Sequence, residues 1–433
     1  MTHAHPPSSL RRVTTAAAIG NFVEWFDFAI YGFLATILAK QFFPHEDQQA
    51  SLLETFAVFA VAFALRPIGG VFFGRLGDRI GRKQTLSLTI LLMAGATCLV
   101  GLLPTYAQVG LWAPVALVLA RCLQGFSAGG EYAGACAFVM EHAAPGRRAR
   151  VGSFLPVSTF TAFACAASVA WLLDLALGPV AMAEWGWRIP FIAAAPMGLI
   201  GIYLRTRLGE SPEFANATAN VKAEHVKPHA PLREAMQSHG GVIASLAAFI
   251  AVTALSFYTF TTYFATYLQV AGGMSRPQAL LVTVVALCLA VCMCPLAGRY
   301  ADHVGRRRSM QTVCALVLLT VYPSFKLAQE GSLVLAIVGV SLQAMGAVLS
   351  GVVTVALLSE SFPTRIRYTA SAMAYNVAYT LFGGTAPFVA TYLIGATGNR
   401  MAPAFYLMAV ALLALLGGMR LPETSHVRLA DVR

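Results

Sequence analysis

The chain has 433 residues, 58% of them hydrophobic and only 11% charged, with a mean hydropathy of +0.68. That balance lies far outside soluble globular usage and excludes a single water-soluble core. A net charge of +11 would suit nucleic acid, but Lys and Arg gather in short segments between apolar runs, which is how membrane proteins carry them.

Runs of about 20 apolar residues, enough to cross a hydrocarbon core of ~30 Å, predict helices over 15–39, 52–73, 85–103, 110–140, 151–177 and 188–205. The polar segment 206–239 contains Pro212, Pro228 and Pro231 and reads as a linker, with a short amphipathic helix near 230–238. Further spans follow over 240–270, 278–297, 309–329, 331–359, 367–395 and 401–420. The predicted fold class is all-α integral membrane: twelve transmembrane helices in two pseudo-symmetric six-helix bundles, 1–205 and 240–433, joined by the cytoplasmic loop 206–239.

The halves repeat each other. Gly74-Arg-Leu-Gly-Asp-Arg-Ile-Gly-Arg-Lys83 returns as Gly298-Arg-Tyr-Ala-Asp-His-Val-Gly-Arg-Arg307. Glu141 with Pro145-Gly-Arg147 answers Glu360 with Pro363-Thr-Arg365. Two such bundles can rock against each other around a shared midplane site. With the N-terminus inside, only Lys40, Arg188, Arg276, Lys326 and Arg400 fall outside, and Arg66 and Arg121 lie within spans. Every other Lys and Arg then faces the cytoplasm, which places both termini there. No cleavable signal peptide is expected before the first span.

An ionisable side chain within a span is costly and needs a partner or a task. Glu24, Asp27 and Tyr31 follow Gly20 on one stripe of the first span. Paired carboxylates away from lipid suit proton or cation binding, because burial and a close like charge favour the protonated form. The fourth span carries Arg121, Gln124, Glu131 and Tyr132 on one face. Arg121 either contacts an anionic substrate or neutralises Glu131, Glu24 or Asp27. Arg66, beside Pro67, reads as a packing or gating residue.

The second half has no carboxylate deep within a span. It offers neutral polar stripes instead, among them Tyr258 and Thr262 in the seventh span and Tyr375 and Asn376 in the eleventh, as cavity-lining candidates. All nine histidines fall in tails, loops or helix ends. Since histidine is the usual side chain titrating near pH 7, Glu24, Asp27 and Glu131 are left to carry a coupling proton. Sodium is the alternative coupling ion.

In the repeated hairpins, Asp78 and Asp302 can face a helix N-terminus and pair with Arg from a neighbouring helix. With Arg82, Glu141, Arg147, Arg306, Glu360 and Arg365 they form the expected gate. The eight cysteines fall within predicted helices, and Cys288, Cys292 and Cys294 read as small buried thiols. No disulfide, metal or other cofactor is expected. No phosphate loop, His-Glu-x-x-His or serine-elbow pattern appears, so neither ATP drive nor an enzyme is supported.

The two hairpins resemble the loop signature of the major facilitator superfamily. Gly20-Asn-Phe-Val-Glu-Trp-Phe-Asp-Phe28, Arg66-Pro-Ile-Gly-Gly70, Gln124-Gly-Phe-Ser-Ala-Gly-Gly-Glu-Tyr132 and Trp185-Gly-Trp-Arg-Ile-Pro190 resemble its metabolite:proton symporters. That group includes bacterial carriers for proline/betaine, 2-oxoglutarate, shikimate and citrate. The resemblance covers essentially the whole chain. It implies proton-driven uptake of a small carboxylate or zwitterion by alternating access. The chain is expected in the bacterial cytoplasmic (inner) membrane as a monomer in the lipid bilayer, and the distribution of its basic residues speaks against a nucleic-acid partner.

Substrate cues divide. Ser256-Phe-Tyr-Thr-Phe-Thr-Thr-Tyr263 resembles the 2-oxoglutarate carriers, and Arg121 matches the carboxylate-carrying members. Phe362-Pro-Thr-Arg-Ile-Arg-Tyr368 and Pro403-Ala-Phe-Tyr-Leu-Met408 resemble the proline/betaine carriers. Osmosensory members can carry a long C-terminal coiled coil, which is not seen here, so a small organic acid such as a di- or tricarboxylate is expected. A proline/betaine-type zwitterion is the alternative. A drug:proton antiporter is disfavoured because 153–176 lacks a Gly-Pro-x-x-Gly-Gly run. A non-transporting metabolite sensor is disfavoured by the lack of a soluble signalling domain.

Overall fold

A computed structural model describes residues 10–80, 82–129, 132, 136, 139–140, 143–144, 146–207, 231–363, 366–418, 423–425 and 427. Among the described residues there is no strand. Helices meet the demand of hydrocarbon, where each backbone N–H needs a partner within its own segment.

The first span, Leu10–Phe33, breaks at Leu34 and continues as Ala35–Phe42, turning by 62°. The second runs as Gln48–Ala64 and Arg66–Ile80. Pro67 has no N–H and crowds the preceding turn, which accounts for the break at Leu65. Arg82–Leu102 is the third span and Trp112–Ser127 begins the fourth. The fifth follows the short helix Arg148–Gly152 as Phe154–Ala181, and the sixth comprises Arg188–Ile192 and Ala194–Arg207.

The seventh span begins with Pro231–Tyr258, which is broken at His239 (φ −128°, ψ 16°). The short helix expected near 230–238 is thus its leading part. A π turn, Thr259–Tyr263, leads on to Phe264–Val270. Arg276–Val304, Arg306–Ala328 and Leu333–Glu360 are the eighth to tenth spans. Arg367–Ala378, the π turn Tyr379–Gly383 and Ala386–Thr397 make the eleventh, and Ala402–Gly418 the twelfth.

Among the described residues, seven helical runs are individually long and apolar enough to cross a bilayer, and the bent first span makes an eighth. Ser87–Leu102, Arg188–Ile200 and Ala402–Leu416 are shorter apolar helices at the expected places. Several helices run past the expected spans, because backbone pairing does not stop where the hydrocarbon does. Large apolar side chains such as Leu111, Trp112 and Leu319 stay exposed on the outside, as a lipid-facing surface requires.

The first, second and fifth spans face the seventh, eighth and eleventh across the middle of the molecule. Within the first half, the second and fourth spans touch backbone to backbone. A Cβ on Gly125 would lie 1.8 Å from the Ala62 carbonyl oxygen, and one on Gly129 would lie 2.0 Å from that of Arg66. Close approach of small residues substitutes for a hydrophobic drive that lipid does not supply. It also sets Arg66 and Arg121 toward the same centre.

Candidate functional site

Glu24, Asp27 and Tyr31 of the first span are buried at the centre, with Arg66 and Arg121 facing them and equally buried. Arg66 Nη2 stands 3.8 Å from Glu24 Oε1, longer than a hydrogen bond. Its guanidinium carbon lies 4.3 Å from the ring centres of both Phe28 and Phe63 and 5.7 Å from that of Trp25. Among the described residues the cation is thus met by Glu24 and by aromatic faces together. Arg66, expected in a packing or gating role, lies in this central cluster.

Arg121 lies 4.1 Å over the Tyr31 ring. Its Nη1 donates to Gln124 Oε1, and Gln124 Nε2 donates to Thr97 Oγ1 at 2.6 Å. The Tyr31 hydroxyl donates to the Thr55 carbonyl at 2.9 Å, which turns its ring face toward the arginine. Asp27 lies beside Thr97 and Arg121, and its Oδ2 has no hydrogen-bond partner among the described residues. Nε and Nη2 of both arginines likewise lack one. Buried polar atoms left this way are costly, and here they converge. Glu131, the third expected acid, lies outside the described residues.

Around the ions stands an aromatic wall drawn from both halves. Trp25 is fixed by its Nε1 donating to Asn21 Oδ1 at 2.9 Å, and Asn21 donates to Thr159 at 2.8 Å. Tyr258 meets Phe63 and Phe59 edge to face, at 5.2 and 5.7 Å between ring centres. Its hydroxyl has no hydrogen-bond partner among the described residues. Tyr132 stacks on Tyr375 at 4.9 Å and Tyr375 on Tyr379 at 4.0 Å, carrying the wall from the fourth span to the eleventh. Tyr258 precedes the π turn Thr259–Tyr263 and Tyr379 begins the π turn Tyr379–Gly383, a local widening that recurs at functional sites. Thr262 and Asn376 sit between the halves. A Cβ on Gly32 would meet the Thr262 methyl at 2.5 Å, and Asn376 Nδ2 donates to the Gly129 carbonyl at 3.4 Å.

On the side of the basic hairpins a second ionic cluster joins the halves. Arg306 forks onto Glu360, with Nε to Oε2 at 2.8 Å and Nη2 to Oε1 at 3.0 Å. It also reaches Asp302 Oδ1 at 3.1 Å. Asp302 crosses to the first half and caps Arg148–Gly152, accepting from the N–H of Ala149 at 2.9 Å and of Arg150 at 2.8 Å. A carboxylate at a helix N-terminus is favoured by the orphan N–H groups and the dipole. Arg148 Nη1 completes the link to Glu360 Oε1 at 3.4 Å and to the Val427 carbonyl at 2.8 Å.

The chain beyond the twelfth span docks on the same cluster. Glu423 caps the ninth span through the N–H of Arg306 and Arg307, at 2.8 and 3.0 Å, and Thr424 donates to Glu360 at 2.9 Å. Partial burial pushes the Glu423 carboxyl up, but the Arg306, Arg307 and Ser425 donors outweigh it and hold it at about 2.

Asp302, Arg306 and Glu360 therefore meet as their spacing suggested. Arg147 is exposed, and its neighbour Arg148 makes the contact. Glu141 and Arg365 lie outside the described residues, as do the side chains of Asp78 and Arg82. Sequence reasoning missed Arg148, Glu423 and Trp25. Of these, Trp25 lies between the two acids in sequence.

On the opposite side, Asp174 of the fifth span pairs with Arg276 at the start of the eighth. Arg276 also donates to the Phe33 carbonyl at 3.4 Å, beside the break in the first span. Gln49 Nε2 reaches the Thr391 carbonyl at 3.0 Å. The halves thus touch on both sides of the buried ions, an occluded arrangement.

Two six-helix halves joined on both sides of a buried ionic cluster form the architecture of a major facilitator superfamily transporter rather than an enzyme. The model of the sugar (and other) transporter family matches residues 13–433, and the chain belongs to that family.

The glycine betaine/proline/ectoine/pipecolic acid transporter OusA of Dickeya dadantii is 36% identical over 422 residues, covering 96% of this chain and 84% of that protein. The ectoine/proline transporter ProP of Corynebacterium glutamicum is 37% identical over 431 residues, covering 97% and 86%. The proline/betaine transporter of Escherichia coli K12 is 34% identical over 422 residues, covering 96% and 84%. Among solved structures, the proton:xylose symporter XylE bound to 6-bromo-6-deoxy-D-glucose superposes with a TM-score of 0.75 at 18% identity, over 98% of each chain. A likeness at that identity shows the fold alone.

Proposed function

We propose that this chain is a proton-coupled symporter that imports a small zwitterion of the proline, betaine or ectoine kind by alternating access. The expectation of a di- or tricarboxylate gives way to its alternative, because the curated relatives are named for zwitterions. The moving units are taken as 1–205 and 240–433, linked by 206–239, in a bacterial cytoplasmic membrane with both termini inside. The hairpin-side cluster is then the inner gate and the Asp174–Arg276 side the outer one.

The observation that carries the reading is the pairing, in one buried cluster, of unsatisfied arginine edges with aromatic faces. A zwitterion has a carboxylate for an arginine fork and a cationic nitrogen for ring faces. A proton taken by Asp27 frees Arg121 for the substrate carboxylate. Releasing that proton inward returns Asp27 to the arginine and loosens the substrate.

Uptake of labelled glycine betaine, proline, 2-oxoglutarate and citrate into proteoliposomes, with and without an inward proton gradient, tests this. The zwitterions are expected to accumulate only with the gradient. Accumulation of the dicarboxylate or tricarboxylate instead, or indifference to the gradient, contradicts it.

A further inference from the structure

Arg66 is buried, and among the described residues its charge is met by one carboxylate and by ring faces. Its guanidinium lies between Phe28 and Phe63 at 4.3 Å from each ring centre, with Trp25 at 5.7 Å. The nearest carboxylate atom in an ion pair with it, Glu24 Oε1, is at 3.8 Å. Nε and Nη2 donate to no described residue. A structural arginine at a helix packing seam would satisfy its fork on carboxylates or carbonyls, as Arg306 does on Glu360 and Ala301. Arg66 leaves Nε and Nη2 without a described acceptor and adds ring faces to its pairing with Glu24.

These rings belong to the wall that includes Tyr258 of the other half, since Phe63 meets Tyr258 at 5.2 Å. Phe63 is also held by the eleventh span. A Cβ on Gly384 would lie 2.5 Å from the Phe63 ring, and Thr380 Oγ1 donates to the Phe63 carbonyl at 3.0 Å. The cage lies within the first half, and its Phe63 wall is braced by the second half when the halves are together, with a cation inside.

We propose that Arg66 is an internal stand-in for the substrate's cationic nitrogen: it occupies the Phe28–Phe63–Trp25 cage in the empty carrier and yields it to the substrate. This inference rests on the zwitterion reading above and assigns the onium half of that substrate to a defined place. Filling the cage from within lets the halves close without cargo, so the empty carrier can return. The same occupancy competes with the substrate, since apparent affinity falls with the fraction of sites held by the competitor. Arg66 acts here as a positioning residue, and Arg121 keeps the carboxylate.

Two assays on one proteoliposome preparation separate the effects. Net uptake of glycine betaine requires the empty carrier to return, whereas exchange of internal for external betaine does not. In R66Q, the ratio of net uptake to exchange is expected to fall more than about tenfold. The half-saturation for betaine in exchange is expected to drop about tenfold, in line with removing a competing desolvated cation–π occupant. R66K, with a compact ammonium in place of the planar guanidinium, moves the ratio of net uptake to exchange the same way by less. It decides the matter if R66Q does not insert.

Loss of net uptake and exchange together in R66Q, a raised half-saturation, or an unchanged ratio in R66K overturns the inference. A wild-type carrier that exchanges no betaine overturns the zwitterion reading and this inference with it. A wild-type carrier that exchanges betaine beside an R66Q that does not overturns the inference alone.

Discussion

Arg147 and Arg148 are adjacent, yet only Arg148 is buried and reaches Glu360. The phase of the helix that Asp302 caps decides between them. A Gly-Arg-Arg run contains no such phase information, which is why the sequence pointed one residue too early. The deep ions were easier to read. Glu24, Asp27 and Arg121 declare themselves because a charge within a span needs a reason, whereas the caging of Arg66 depends on rings from elsewhere in the fold.

At this scale the expected outcome is asymmetric. Arg148→Ala should weaken the state closed on the hairpin side by about 2 kcal/mol, typical of a lost charge-assisted hydrogen bond, which is roughly a thirtyfold shift in population. Arg147→Ala should leave it unchanged. Spin-label distances between the two hairpins in liposomes measure the difference, and equal effects would contradict the assignment.

Among the elements, proline and glycine announced the breaks that chemistry imposes. Pro67 follows the interruption of the second span, and Pro387 opens the helix Ala386–Thr397 just after the π turn of the eleventh. The π turns themselves at Thr259–Tyr263 and Tyr379–Gly383 carry no such mark, since any apolar helix sequence accommodates one. The docking of 423–427 was also illegible. A short polar tail has no periodicity, and its partners lie on the eighth-to-ninth connection, the end of the tenth span and the fifth.

The tail has a pH consequence. Glu423 is held at about 2, below its ordinary value of 4.5, so its capping contribution is complete above pH 4.5 and lost as pH falls toward 2. Tail protection from proteolysis should therefore be constant from pH 5 to 8 and collapse only below that window. Protection that changes between pH 6 and 8 would contradict the capping role.

For the whole molecule, hydropathy and the repeated hairpins made the architecture readable. A bilayer reduces the folding problem to a one-dimensional pattern of apolar lengths and basic flanks. How the two halves meet was not readable, because contacts such as Asp302 with Ala149 and Asp174 with Arg276 join residues far apart in sequence. The substrate class was the weakest inference. Both candidate classes share a carboxylate, and the distinguishing aromatic wall is built from Trp25, Phe63, Tyr258 and Tyr375, which no local motif groups together.

The central claim is that the buried acids of the first half exchange a proton each time the halves alternate. Proteoliposomes loaded with a pH-sensitive dye report it directly when glycine betaine is added outside. The wild-type carrier should acidify the lumen and concentrate betaine, while E24Q/D27N/E131Q should do neither but still equilibrate betaine across the membrane. Lumen acidification and concentrative uptake at the wild-type level in the triple variant would contradict the account.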